Sequence, residues 1–117
     1  QFGGTLSWLA SEAEAPQHTD SLLADDAVWI LERMAKNRNR PFFLSVGLFR
    51  PHTPYVAPKA YFEKFPKPQM PLYGNIEEDR LDIPAPALAS KKAEQESMSD
   101  ELKQEAAQAY YASISFM

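Results

Sequence analysis

Cysteine is absent from the 117 residues, which removes disulfides, thiolate metal ligands and a cysteine nucleophile from the chain's chemistry. Glycine occurs only four times against ten prolines, and neither a glycine-rich phosphate loop nor a Gly-x-Ser-x-Gly elbow is present. Positive charge is in deficit. Twelve Lys and Arg face sixteen Asp and Glu, a formal charge of −4, so the basic footprint of a nucleic-acid binder is missing. No apolar run approaches the roughly 20 residues that cross a bilayer as a helix. Histidine is limited to two, which do not stand at zinc-ligand spacing. The start at Gln1, with neither an initiator Met nor a signal peptide, leads us to expect an internal or processed amino end.

What is there suffices for a core: 44% of the residues are apolar and 12% aromatic, in a length that suits one domain and is too short for two. Leu23, Ala27, Ile30, Leu31 and Met34 recur at spacings of three and four and predict a helix from about Asp20 to Asn37, with Thr19 or Asp20 as its cap. A polar turn over Asn37 to Arg40 follows. Phe42-Phe43-Leu44-Ser45-Val46-Gly47-Leu48-Phe49 is apolar on both alternating faces, the pattern of a strand inside a parallel sheet covered by helices on each side. No second run of this character exists, so the expected fold class is α/β with one buried central strand, and the chain reads as a piece of a larger α/β domain.

Arg50 to Pro58 reads as a stiff, non-helical loop, because each residue before a proline is pushed toward extended geometry. Pro58 to Phe65 predicts a short helix with Tyr61, Phe62 and Phe65 on one face. Pro66 to Pro86, with Gly74, is an irregular excursion, and Ala87 to Ser97 a weakly helical surface segment. The last helix is expected from Ser99, with Leu102, Ala106, Ala109, Tyr110, Ser113, Ile114 and Met117 as its apolar stripe. Neither Gly nor Pro stops it, so a cut within the helix is expected.

Two residues stand out chemically. His52 lies just beyond the carboxyl end of the apolar strand, where open α/β sheets place ligand sites. From position alone two readings of it stand level: an imidazole preorganised between prolines for an anion, or a turn histidine bonded to a carbonyl. Arg50 offers a planar fork for sulfate, phosphate or carboxylate, with a surface salt bridge as the competing and slightly favoured reading. His18 is expected on the solvated surface. Asp25-Asp26 is read as dipole-favoured helix start rather than metal pair, Glu77-Glu78-Asp79 as a solvated run, and Tyr110 and Tyr111 as core and rim. No residue of the chain is assigned to a metal.

The run Arg40-Pro41-Phe42-Phe43-Leu44-Ser45-Val46-Gly47-Leu48-Phe49-Arg50-Pro51-His52-Thr53-Pro54-Tyr55 resembles the central strand and following loop of type I sulfatases, most closely the iduronate-2-sulfatase and choline-sulfatase-like branch. Ala57-Pro58-Lys59-Ala60-Tyr61-Phe62 and Ala109-Tyr110-Tyr111-Ala112-Ser113-Ile114-Ser115-Phe116-Met117 resemble later segments of the same branch, in the same order. The resemblance implies an alkaline-phosphatase-like α/β fold, with residues 1–117 an internal part of the amino-terminal catalytic domain. It implies hydrolysis of sulfate esters, here of a sulfated carbohydrate, in a periplasmic, secreted or lysosomal-type compartment. It also implies a calcium ion and a formylglycine nucleophile made within Cys/Ser-x-Pro/Ala-x-Arg, whose hydrate attacks sulfur. That motif does not occur in the chain, so the segment alone is expected to be inactive. His52 matches the family histidine that contacts the substrate sulfate, and Arg50 falls where relatives carry Lys or Arg. The alternatives are a phosphodiesterase or phosphonate hydrolase of the same superfamily, and a non-catalytic interaction segment.

Overall fold

A computed structural model describes residues 6–36, 39–74, 80–89 and 92–117. The chain is mixed helix and strand. Strand β1 (Trp8–Ser11) leads through a single 3-10 turn (Ala15–Gln17) into α1 (Thr19–Ala35). A passage without regular secondary structure over 41–49 follows, then β2 (Tyr55–Pro58) and α2 (Lys59–Phe62). A second 3-10 turn (Lys67–Gln69), α3 (Ala85–Ala89), α4 (Ala93–Glu96) and α5 (Asp100–Phe116) complete the order.

The two long helices are those whose period is legible. In α1, Leu23, Ala27, Ile30 and Met34 are half-buried as the stripe requires, while Leu31 turns outward. In α5 the hydroxyl of Ser99 accepts the Leu102 N–H at 3.3 Å, and Asp100 and Glu101 sit at the positive end of the dipole. The expected stripe of α5 holds in part: its members Leu102, Ala106, Ala109 and Ser113 are buried or half-buried. Ala109, Ala112 and Ser113 are buried, whereas Tyr110, Ile114 and Met117 are exposed.

The sheet corrects the sequence reading. β1 and β2 pair in parallel, with Trp8 opposite Tyr55 and Ser11 opposite Pro58, so part of the expected proline-rich loop is a strand. Its partner is a four-residue segment with no strong pattern of its own. Conversely, the Phe42 to Phe49 segment forms no strand, and among the described residues no strand pairs with it. Its side chains are largely exposed, Phe43 by 92%. The buried setting expected for it is therefore not built among the described residues; α1 flanks it across a cleft of about 240 Å³ between Leu23, Ala27 and Ile30 and residues 44–47.

The core lies elsewhere, where α5 and α2 close over β2. Ala57, Phe62, Ala109 and Ala112 are buried there, with Trp8, Tyr55, Tyr61, Phe65 and Phe116 packed against them. Side chains of α5 tie down the end of α2 and the segment beyond it: Gln108 donates to the Phe62 carbonyl at 3.1 Å and Gln104 to the Met70 carbonyl at 3.1 Å. The charge run Glu77-Glu78-Asp79 and the Asn37 end of the predicted helix lie outside the described residues.

Candidate functional site

The loop that carries His52 is held from two directions. From α1, the buried carboxylate of Asp20 accepts the backbone N–H of Phe49 at 2.8 Å and that of Arg50 at 2.9 Å. Two charge-assisted bonds to adjacent amides fix the direction in which the chain leaves the Phe42 to Phe49 segment. From within the loop, Arg50 Nε donates to the Val56 carbonyl at 2.5 Å, which closes residues 50–56 into a ring against the start of β2. Both Arg50-Pro51 and Thr53-Pro54 are cis.

Within this frame His52 divides its polar groups. Its backbone N–H donates to the Phe49 carbonyl at 2.9 Å. Its ring Nδ1 lies 2.6 Å from the Thr53 carbonyl. A carbonyl has no hydrogen to give, so Nδ1 is assigned the proton, and Nε2 is left as the other ring nitrogen of an exposed side chain. Of the two readings open at the sequence level, the carbonyl-bonded turn histidine is the one seen, through Nδ1. Neutral, Nε2 accepts a hydrogen bond; protonated, it presents a charged N–H to an anion.

Arg50 is half-buried and its Nε is committed to the loop. It makes no ion pair among the described residues, which leaves its outer guanidinium nitrogens as the remaining donors. Asp20 escapes the sequence reading except as a cap. Its partners lie 29 and 30 residues away, and no local pattern announces such a clamp.

His18 is a correction. It is buried, 8% exposed, with its ring edge-on to Phe116 at 5.1 Å and its Nε2 without a hydrogen-bond partner. The segment before α1 folds back on α5, so a residue expected in solvent sits against an aromatic. Asp25 and Asp26 are exposed on α1. Among the described residues no group of three or more His, Asp or Glu stands where it would hold a metal ion. The described residues do not fit a calcium site.

Over 68 residues the chain is 37% identical to a protein named Sulfatase from Formosa agariphila, a match covering 56% of this chain and 13% of that relative. The chain thus spans a small fraction of the relative's length, and the similarity supports a sulfatase-family segment without separating the branches of that family. No family model and no solved structure matches the chain.

Proposed function

We propose that this chain is an internal segment of the catalytic domain of a sulfatase of the alkaline phosphatase superfamily, in the iduronate-2-sulfatase and choline-sulfatase-like branch, and that the whole protein hydrolyses sulfate esters of carbohydrates. The observation that carries the proposal is the His52 loop, clamped by Asp20 and closed by Arg50, with the imidazole on an exposed side chain. A donor fixed before the substrate arrives loses little freedom on binding, and its bond strengthens as negative charge grows on a sulfate or leaving-group oxygen. In this reading protonated His52 donates from Nε2 to such an oxygen, and Arg50 supplies positive charge beside it. Calcium and the formylglycine nucleophile belong to parts of the protein outside this chain.

The test is a substrate comparison with the full-length protein. An aryl sulfate and a sulfated monosaccharide should be hydrolysed, each yielding an alcohol and inorganic sulfate. A phosphodiester and a phosphonate ester should turn over far more slowly. Preference for the phosphorus esters would move the protein to the phosphodiesterase reading. A folded full-length protein inert toward all four would leave the non-catalytic interaction segment.

A further inference from the structure

Where β2 begins, the surface changes character. Tyr55, Tyr73, Tyr110 and Tyr111 surround an open cleft of about 300 Å³ floored by Ala106 and Ala107. Among the described residues no charged side chain lines it. The rings are braced against one another: Tyr55 and Tyr110 are 5.5 Å apart, Tyr110 meets Tyr111 edge-on at 6.2 Å, and Phe65 stacks on Tyr111 at 5.7 Å. The hydroxyls of Tyr73 and Tyr111 lie 3.0 Å apart. Burial, with the Tyr110 phenol beside it, holds the Tyr55 hydroxyl above the usual tyrosine range, and the bond to Tyr111 does the same for Tyr73. These phenols stay protonated near neutrality.

A surface that offers flat apolar rings and neutral hydroxyl edges, with two alanines in place of bulk, suits a ligand that is itself apolar on a face and hydroxylated at its rim. A pyranose ring has that form. The volume is at the lower end of small-ligand pockets, the size for one sugar unit rather than an extended chain. The location agrees. Tyr55 stands three residues after His52, so their Cα atoms are within about 11 Å, close enough for one sugar to reach the cleft while its sulfate faces His52.

We infer that the tyrosine cleft is a neutral sugar subsite, which seats a pyranose ring of the substrate by stacking and hydroxyl contacts while the His52 loop receives the sulfate. This inference rests on the sulfatase reading for its substrate class but makes its own claim about where sugar binds.

The experiment uses the full-length protein and neutral monosaccharides: galactose, glucose, mannose and N-acetylglucosamine, followed by saturation-transfer NMR and titration calorimetry. At least one should bind, and its affinity should fall roughly threefold to tenfold in Tyr110→Ala, the range of an aromatic contact. Tyr73→Ser is the second variant. Tyr73 is 75% exposed and outside the core, so its truncation leaves the fold in place, and the same sugar should bind more weakly. Absence of binding by all four sugars, or binding that ignores both substitutions, overturns the inference even if sulfate esters are hydrolysed. Preferential capture of a proline-rich decapeptide by the same tyrosines overturns it too. If no sulfate ester is hydrolysed yet a sugar binds in a tyrosine-dependent way, the subsite stands and the sulfatase reading falls.

Discussion

Because Nδ1 of His52 is tied to the Thr53 carbonyl, the ring cannot rotate freely, and whatever Nε2 does is done from a fixed position. In the full-length protein His52→Ala should therefore lower kcat by roughly 100-fold, the scale of one preorganised donor, with a smaller effect on KM. Asp25→Ala, at an exposed position of α1 outside the loop, is the control, with circular dichroism to confirm folding; equal, small effects would reduce His52 to a turn residue. Asp20 acts through the loop. In Asp20→Asn the side chain keeps one acceptor oxygen for two amides, and the lost part-buried bond costs about 1 kcal/mol. Turnover should fall roughly tenfold as the loop loses its anchor, and the ring-nitrogen NMR shifts of His52 should move; unmoved shifts would make Asp20 merely structural. His18 behaves oppositely, since its buried Nε2 has no partner. His18→Leu should hold or raise the melting temperature, whereas His18→Ala should lower it by leaving space against Phe116.

The helices and strands differ in how much of them a single sequence discloses, and the difference is physical. α1 is readable because its stripe and polar faces repeat within the element; its start at Thr19 is one residue earlier than expected, with His18 rather than Thr19 or Asp20 at the cap. β1 and β2 are four residues each, and what makes them strands is each other, across 47 positions of register. In α5 the large residues mislead. Close approach of β2 favours Ala109 and Ala112 at the contact; the expected stripe holds Ala109 and the buried Ser113 but not Ala112, and its large members Tyr110, Ile114 and Met117 are exposed. The His52 loop is legible through its prolines, whereas its Asp20 clamp is not. The anchoring of the Lys67–Gln69 turn on α5 is likewise a tertiary feature: Lys67 Nζ sits 2.7 Å from Glu101 and 3.1 Å from Glu105. Its bond to Glu101 raises the Lys67 pKa, and the same bond lowers that of Glu101. A raised lysine contributes stability that fades as pH rises through its folded value; a lowered carboxylate contributes stability that fades as pH falls through its own. The melting-temperature gap between the native chain and Lys67→Met should thus be widest near neutrality, narrow toward both extremes, and shrink in high salt. A gap that is flat with pH would show that the ion pairs contribute nothing.

At the scale of the whole molecule, the described residues are spread out rather than gathered. The radius of gyration is 18.9 Å, against roughly 13 Å for a compact domain of this length. The buried apolar set among them is small, five residues of which three are alanines, while Phe42, Phe43, Val46, Leu48 and Phe49 are exposed, as are Leu22, Val28 and Trp29 of α1. A strand apolar on both faces and unpaired on both edges is stable only when other strands and helices cover it. The proposal that this chain sits inside a larger catalytic domain accounts for that surface, and it makes a claim that needs no knowledge of the substrate. Amides 42–48 have no backbone partner among the described residues, so in the isolated chain they should exchange with solvent within seconds, and the exposed apolar faces should drive self-association at micromolar concentration. In the full-length protein the same amides should be among the slowest to exchange, because a central strand opens only with the whole domain. Hydrogen exchange read by mass spectrometry on both forms separates the cases. Slow exchange of 42–48 in a monodisperse isolated chain, or fast exchange in the full-length protein, would mean that this segment is not an interior strand. The His52 loop at its end would then lose the rigid base from which the proposed donor acts.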